Sequence, residues 1–345
     1  MPASFKKPSD IKVGVIGYGG AFNMGKKHLE EMHKAGMTPV AVCEVDPARL
    51  QVAESDFPGI QTYAKVADLL KKSDVNLIVI ITPHNTHAPL ALQCLRAGRH
   101  VVCEKPLAIT TKECDAMIAA ATKSGVVLST YHNRHWDGCV LEAVDRIVKQ
   151  KQIGAVYRIE AHMGQWGQPQ DWWRTSKTIS GGVLYDWGVH LLEYALQILD
   201  SDLTEVSGYA HVGHWAPKTA WKKDTNEDEA CALARFQNGA WLNLNISTLD
   251  ANPKRGILEI TGTQGSYLMD HGTFEITQPG PTQTQVIRGK NRPGAQHLYY
   301  QNIADHLTGK AKLVITPQWS RRPIHILDLA VQSANKGKAL PAQYP

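Results

Sequence analysis

The residue types with the clearest chemistry stand in two places. Glu104-Lys105-Pro106 closes the apolar run Val101 to Cys103, so a strand ending there would present a lysine amine able to orient an oxygen or tune an acid/base group. Farther along, Gly181-Gly182-Val183-Leu184-Tyr185-Asp186-Trp187-Gly188-Val189-His190 leads into the apolar pattern Leu191 to Leu199. If that stretch is helical, Asp186 and His190 share a face one turn apart. An imidazole accepts a proton near neutral pH, and a neighbouring carboxylate can hold it or a substrate in orientation. The double glycine permits close backbone approach at the start of that element.

A third cluster says what such groups would work with. Ile11 to Ile16 is a short β-branched run followed by Gly17-Tyr18-Gly19-Gly20 and a helix-compatible stretch from Met24 to Ala35. A tight glycine turn between a strand and a helix N-terminus is a cradle for a pyrophosphate. The third glycine of the usual spacing falls on Phe22, and Gly25 takes its place if the loop is lengthened by Ala21, Phe22 and Asn23. Glu44 closes the second apolar run, where a carboxylate accepts hydrogen bonds from ribose hydroxyls and repels a ribose phosphate, so NAD is expected over NADP. Asp46-Pro47 reads as the start of the next helix, while Lys26 and Lys27 are flexible amines that could still meet an extra phosphate.

The segment Thr82-Pro83-His84-Asn85-Thr86-His87 follows the wholly apolar run Leu77 to Ile81. Polar residues there line the crevice beyond a strand's carboxyl end, and they equally suit a strand-to-helix turn capped by Asn85 or Thr86. Asn85 and His87 are expected to shape the pocket rather than perform chemistry.

These groups need a frame, and the first part of the chain supplies an alternation. Strands are expected at 11–16, 40–43, 77–81, 100–103 and 126–130, with helices at 24–35, 63–72, 87–97 and 111–122. Apolar runs without strict alternation suit parallel strands covered on both faces, hence a doubly wound α/β domain over residues 1–131. The second domain is expected over residues 132–345, and from about Gln152 its pattern becomes α+β. Asn238-Gly239 marks a hairpin before the alternating Leu242, Leu244 and Ile246, and residues 257–260 and 267–269 form a second expected pair through Gly262 and Gly265. A last helix, about 323–333, could pack back on either domain.

Composition narrows the classes. The 345 residues are 43% apolar and 20% charged with a formal charge of +5, too little basic bias to support a nucleic-acid partner without an aromatic-interleaved basic run. The polar opening and the absence of a run near 20 apolar residues point to a cytoplasmic protein with no membrane partner. Cys43, Cys94, Cys103, Cys114, Cys139 and Cys231 contain no close Cys-x-x-Cys pair and are expected to be reduced core thiols. His84 with His87, and His211 with His214, lack a full ligand set, so no metal is expected. Seven of the nine tryptophans, Trp136, Trp166, Trp172, Trp173, Trp187, Trp215 and Trp221, fall in or near the second constellation and could wall a sugar or cyclitol ring. Arg174 beside Trp173 could meet a substrate hydroxyl or a phosphate, or be a surface arginine.

Taken in order, Val15-Ile16-Gly17-Tyr18-Gly19-Gly20, Glu44, Thr82 to His87, Glu104-Lys105-Pro106, Tyr131-His132-Asn133-Arg134, Gly181-Gly182 through His190, and Gly262-Thr263-Gln264-Gly265 resemble the glucose-fructose oxidoreductase and inositol dehydrogenase (Gfo/Idh/MocA) family over essentially the whole chain. The resemblance implies an N-terminal Rossmann domain and a C-terminal domain with a large, mostly antiparallel sheet that often supports homodimers or homotetramers. It makes Lys105, Asp186 and His190 the catalytic residues. Cofactor contacts carry over to Gly17, Tyr18, Gly19, Gly20, Ala21, Phe22, Asn23, Glu44, Thr82, Pro83, His84, Asn85, His87, Glu104 and Lys105. Substrate contacts fall to Lys105, His132, Arg134, Trp173, Arg174, Asp186 and His190, with Asn133 in the same junction segment.

The expected chemistry is oxidation of a secondary alcohol of a sugar, glycoside or cyclitol between the two domains. His190 removes the hydroxyl proton, Lys105 stabilises the oxygen, Asp186 orients His190 or a neighbouring hydroxyl, and the hydride passes to nicotinamide. Two alternatives use the same residues differently: a retained NAD that permits glycosidic cleavage through transient oxidation, and a non-catalytic dinucleotide sensor.

Overall fold

The computed structural model describes residues 5–344. The chain divides into two compact units, one running up to His132 and including His297–Arg321, the other comprising Asn133–Gln296 and the chain from Arg322 onward.

The first unit contains strands β1 (Lys12–Ile16), β2 (Thr38–Cys43), β3 (Gln61–Tyr63), β4 (Leu77–Ile80), β5 (His100–Cys103) and β6 (Leu128–Thr130). Helices α1 (Met24–Lys34), α2 (Pro47–Asp56), α3 (Val66–Lys72), α4 (His87–Arg96) and α5 (Thr111–Ser124) alternate with them. The sheet has the order β3-β2-β1-β4-β5-β6, and every neighbouring pair is parallel. Every residue of β4 and β5 is buried, as continuous apolar runs require when helices cover both faces. The order reverses between β1 and β4, which makes the carboxyl ends of those strands the crevice where a ligand fits.

Residues 63–65 do not begin a helix as the sequence suggested. Tyr63 ends the short edge strand β3, paired with Cys43, and α3 starts at Val66. One exposed and two half-buried residues leave no apolar run to betray such a strand.

The second unit begins with α6 (Gly138–Ala143), β7 (Val156–Gly164), α7 (Lys177–Ser180) and α8 (Leu184–Ile198). Strands β8 (Leu203–His211), β9 (Glu229–Phe236), β10 (Trp241–Ser247), β11 (Leu258–Gly262), β12 (Gly265–Met269), β13 (Thr273–Gln278) and β14 (Gln285–Lys290) follow. After them come α9 (Leu298–Leu307), α10 (Pro317–Lys336) and β15 (Leu340–Pro341). Nine strands form one sheet in the order β14-β13-β12-β11-β7-β10-β9-β8-β15, antiparallel throughout except where β7 runs parallel to β10. The hairpin at Asn238-Gly239 joins β9 to β10, with Gly239 at φ 86°, and the pair through Gly262 and Gly265 is β11 with β12.

Leu242, Leu244 and Ile246 point to the buried face of this sheet, under α8. Gly188 lets α8 lie close, since a Cβ there would come within 2.9 Å of Leu244 Cδ2. The segment 297–321, expected in the second domain, packs in the first unit: α9 inserts Tyr299 and Tyr300, each 1% exposed, into that core. Burial of side chains of this size is worth about 1.5–3 kcal/mol each, which fixes where α9 belongs. The boundary between the units falls inside α10, at Arg321 and Arg322.

Among the described residues no helix is long and apolar enough to cross a membrane. The six cysteines are free, five of them buried and Cys231 half-buried.

Candidate active site

In the first unit the predicted dinucleotide residues gather at the carboxyl ends of β1, β2, β4 and β5. Gly17 turns at φ 102°, and a Cβ on it would stand 2.6 Å from the Ile81 carbonyl oxygen, so only glycine fits beside β4. A Cβ on Gly19 would meet nothing within 4 Å and would project into open space over the turn, the space a pyrophosphate needs. Gly25, in the first turn of α1, would place a Cβ 2.5 Å from the Tyr18 ring and 2.9 Å from the Gly17 carbonyl oxygen. It therefore permits the close helix-to-turn packing that the third glycine of a shorter loop provides. Gly20, Ala21 and the 56%-exposed Phe22 form the outer part of the turn, and Asn23 enters α1 in the left-handed region at φ 49°.

Three amides hold the Glu44 carboxylate at the end of β2. Tyr18 N–H donates to Oε2 at 2.6 Å, while Val45 and Asp46 N–H donate to Oε1 at 2.7 and 3.2 Å. From α2, capped by Asp46 through Ala48 N–H, Arg49 reaches back over the loop. Its Nε donates to the Tyr18 carbonyl at 2.8 Å and its Nη2 to Asn23 Oδ1 at 3.3 Å. Lys26, considered as a phosphate partner, instead pairs with Asp56 at 2.7 Å, and Tyr18 Oη donates to the other oxygen of that carboxylate at 2.9 Å. The Lys26 hydrogen bond outweighs partial burial and holds the Asp56 carboxyl below its ordinary range.

Thr82 to His87 form the turn from β4 into α4. Thr86 stands at the N-cap, but its hydroxyl lies 2.6 Å from both Thr82 Oγ1 and the Pro83 carbonyl and does not cap an α4 amide. His84 is buried and Asn85 exposed. His87 is fully buried, with Nδ1 2.7 Å from the Pro106 carbonyl and Nε2 2.8 Å from the Thr82 carbonyl. Burial pushes its pKa down against the pull of those two carbonyls. Its position ties the segment just past β4 to the turn that carries Lys105.

Glu104 and Lys105 follow β5 directly, and the Lys105-Pro106 peptide is cis. Lys105 N–H donates to Glu104 Oε2 at 2.9 Å, and His28 Nε2 stands 3.0 Å from Glu104 Oε1. Burial raises the Glu104 carboxyl, but the His28 hydrogen bond and the electrostatic pull of its neighbours, Lys105 among them, bring it net below its ordinary value. His132, 1% exposed, ends this unit just past β6.

The second unit places Asp186 and His190 on one face of α8, four residues apart. His190 is 6% exposed, while the Asp186 side chain is 41% exposed, so one group is enclosed and the other faces outward. The Gly181-Gly182 turn, at φ 93° and 126°, aims the start of α8. Glu227 anchors that start: its Oε2 accepts Val183 N–H at 3.0 Å, its Oε1 pairs with Lys177 at 2.8 Å, and a Cβ on Gly182 would stand 2.7 Å from it.

Arg174 is no loose surface arginine. Its guanidinium lies 4.8 and 4.4 Å from the Trp172 and Trp173 ring centroids and 3.6 Å from Asp186 Oδ1. Trp187 stands 5.6 Å from the His190 ring, and Arg134 lies 4.9 Å from the Trp187 ring while pairing with Asp137 at 3.0 Å. Asn133 and Arg134 open the unit in a 3-10 turn.

Sequence reasoning missed Arg49, His28 and Glu227. Arg49 and Glu227 gave no signal beyond their charge. A histidine at the apolar positions of α1, in line with Leu29 and Met32, was a readable sign of a partnered buried group. Among the described residues no group of three or more His, Cys, Asp or Glu could hold a metal ion.

Residues 11–132 match the oxidoreductase family described by its NAD-binding Rossmann fold, and residues 141–268 match the GFO/IDH/MocA C-terminal domain. Over 342 residues, 94% of this chain and 96% of the relative, the sequence is 32% identical to the uncharacterised oxidoreductase YdgJ of Escherichia coli K12. The chain belongs to the Gfo/Idh/MocA oxidoreductase family. It is 26% identical to the NADP-dependent scyllo-inositol 2-dehydrogenase IolW of Bacillus subtilis over 97% of both chains. A solved NAD-binding protein from Listeria innocua superposes with a TM-score of 0.78 at 25% identity, covering 96% of each chain. As a Gfo/Idh/MocA protein, the chain is an oxidoreductase built on an NAD(H)-binding Rossmann fold followed by a mostly antiparallel sheet domain. The open space over Gly19, the tight turn at Gly17 and the close approach at Gly25 fit such a dinucleotide.

Proposed function

We propose that this protein is an NAD-preferring dehydrogenase that oxidises, reversibly, a secondary hydroxyl of a sugar, glycoside or cyclitol. The observation that carries the reading is the Asp186 and His190 pair, held on one face of α8 by the Glu227-anchored glycine turn, in a chain whose Glu104-Lys105-Pro106 segment follows a Rossmann strand. The relationship to IolW, named for action on scyllo-inositol with NADP, supports a cyclitol-like substrate class.

A bound nicotinamide supplies the hydride acceptor; the remaining work falls to side chains. His190 takes the hydroxyl proton, suited to the task by an imidazole's affinity near neutral pH. Lys105 donates a hydrogen bond to the reacting oxygen and stabilises charge developing there. Asp186, steadied by Arg174 between Trp172 and Trp173, orients a substrate hydroxyl or His190. Glu44 at the end of β2 receives the adenosine ribose, and its negative charge disfavours a ribose phosphate, which underlies the preference for NAD. Gly17, Tyr18, Gly19, Gly20, Ala21, Phe22, Asn23 and the Thr82 to His87 turn complete the dinucleotide cradle. His132, Arg134 and Trp173 contribute to the substrate side. A homodimer or homotetramer in the cytoplasm is the expected working form.

An anaerobic panel of sugars, glycosides and inositols with NAD and with NADP, read by NADH absorbance and by product mass, tests this. Stoichiometric reduced dinucleotide with a ketone product is expected. Cleaved sugar without accumulating NADH, or dinucleotide binding without any product, would overturn it.

A further inference from the structure

The first unit contains a buried polar line that neither the family motifs nor the proposed chemistry assigns. His28, on α1, is completely buried. Its Nε2 stands 3.0 Å from Glu104 Oε1 and its Nδ1 stands 2.5 Å from the hydroxyl of Tyr300, on α9. Glu104 spends its other oxygen on Lys105 N–H at 2.9 Å. A neutral imidazole has one N–H and one lone pair. With a carboxylate on the Nε2 side the N–H belongs there, so Nδ1 accepts and the Tyr300 hydroxyl donates. The donors then converge on the carboxylate: Tyr300 O–H donates to His28 Nδ1, His28 Nε2–H to Glu104 Oε1, and from the other side Lys105 N–H to Glu104 Oε2.

The surroundings hold the imidazole in place. The Tyr131 ring meets His28 edge-on at 4.3 Å and stacks with Tyr300 at 5.5 Å, while its hydroxyl donates to Glu31 Oε2 at 2.5 Å. Tyr299 packs at 5.1 Å from Tyr300, with its hydroxyl 3.0 Å from Ser129 Oγ. An ion-pair or hydrogen-bond partner buried this deeply is costly to install and costly to break, so its persistence at the residue before Lys105 calls for a role.

We propose that His28 and Tyr300 are positioning residues for the dinucleotide end of the site: the line Tyr300–His28–Glu104 fixes the Glu104 carboxylate and, through it, the backbone of Lys105. The inference rests on the reading that the strand ends of the first unit hold the dinucleotide. The brace draws on α9, which lies about 270 residues beyond α1 in the chain, so the far segment of the sequence helps set the geometry at β5.

Among the described residues, the charged and titratable groups around the Glu104 carboxylate are His28 from α1, His87 from α4, Cys103 and Lys105 on its own segment, Tyr131 after β6 with Glu31 behind it, and Tyr299 and Tyr300 from α9. Of these, His28 alone gives the carboxylate a side-chain hydrogen bond among the described contacts. Removing its N–H leaves a largely buried carboxylate short of a donor, which favours the protonated form. Dinucleotide binding should then acquire an acid limb at higher pH.

The test is NADH titration by fluorescence from pH 5 to 9 on the full-length wild type and on His28→Leu, His28→Gln and Tyr300→Phe, with thermal unfolding of each. His28→Leu should bind NADH about tenfold more weakly at neutral pH, the scale of a lost hydrogen bond to a charged group, with its acid limb displaced upward. His28→Gln, which keeps an amide donor, should restore part of the affinity and the original limb. Tyr300→Phe, which leaves His28 Nδ1 without its donor, should shift the same way by a smaller factor and lower the unfolding temperature less than His28→Leu does. Wild-type affinity and pH profile in His28→Leu would overturn the proposal, as would equal losses in His28→Leu and His28→Gln that simply follow unfolding temperature. Wild type that binds no NADH would overturn it together with the dinucleotide reading. NADH binding that shows the expected shifts, in a protein that oxidises no polyol, would sustain the brace and sink the proposed substrate class alone.

Discussion

Replacing Gly25 with alanine tests the idea that this residue takes over the third glycine's task in a lengthened loop. The added methyl would stand 2.5 Å from the Tyr18 ring, 2.9 Å from the Gly17 carbonyl oxygen and 3.2 Å from Tyr18 Cα. Two of those atoms are backbone, so no side-chain rotation removes the clash. The Tyr18 ring, 1% exposed with its hydroxyl tied to Asp56, has nowhere to swing. Overpacking of this kind costs about 1–3 kcal/mol. Alanine's better helix propensity returns about 1 kcal/mol, leaving a net destabilisation of up to about 2 kcal/mol.

The more telling effect is on the turn. Separating α1 from Gly17 by even half an ångström moves the helix amides away from the space over Gly19, and NADH affinity should fall at least about tenfold, or 1.4 kcal/mol. Thermal unfolding and NADH fluorescence titration read the two effects. Gly167→Ala, where a Cβ meets nothing within 4 Å, serves as the neutral control. A Gly25→Ala protein with wild-type affinity and wild-type unfolding temperature would refute the reasoning.

Lys105→Ala should fold and keep NADH binding largely intact while turnover falls roughly 10²- to 10³-fold, the usual worth of a hydrogen-bond donor aimed at a developing charge; unchanged catalytic efficiency would remove its role. Glu227→Ala should lower the unfolding free energy by about 1–3 kcal/mol, because Val183 N–H and Lys177 both lose a buried partner, and it should depress turnover more than NADH binding, as measured by steady-state kinetics beside titration. His100 supplies a pH prediction. Its pKa is pushed down to about 4 by burial and by nearby His306, and its Nδ1 accepts Val127 N–H, so the folded ring is neutral. Between pH 6.5 and about 4 the unfolded chain takes up a proton that the folded ring refuses, so stability falls on acidification by up to roughly 3 kcal/mol and is untouched above pH 6.5. His100→Asn, which keeps an acceptor for Val127, should flatten that fall in urea titrations across the range.

Much of the first unit was legible because parallel strands buried on both faces are written as plain apolar runs. Leu77 to Ile80 and His100 to Cys103 stand within a residue of where their hydrophobicity ends. The edge strand β3 was not, for want of an apolar run. In the second unit, β7 lay outside the expected strands although Tyr157, Ile159, Ala161 and Met163 alternate with Arg158, Glu160 and His162. β14 is mostly exposed and offers little periodicity.

The proposed catalytic residues Lys105, Asp186 and His190 stand out in the sequence by residue type and local spacing. The residues that contact their surroundings do not: Glu227, Arg49 and Tyr300 make contacts 31 to 272 residues away, and no local window contains both partners. The α9 segment shows the same limit. Nothing in Tyr299-Tyr300 announces that they complete a core whose other walls are His28, Ser129 and Tyr131.

The central claim, direct oxidation of a ring carbinol, is tested most directly with a substrate from the panel carrying deuterium at the reacting carbon. The account predicts that the deuterium appears on the reduced dinucleotide, one per ketone formed, with a primary isotope effect in single-turnover measurements. Deuterium released to solvent, or retained in a cleaved product while the dinucleotide stays unlabelled, would contradict it.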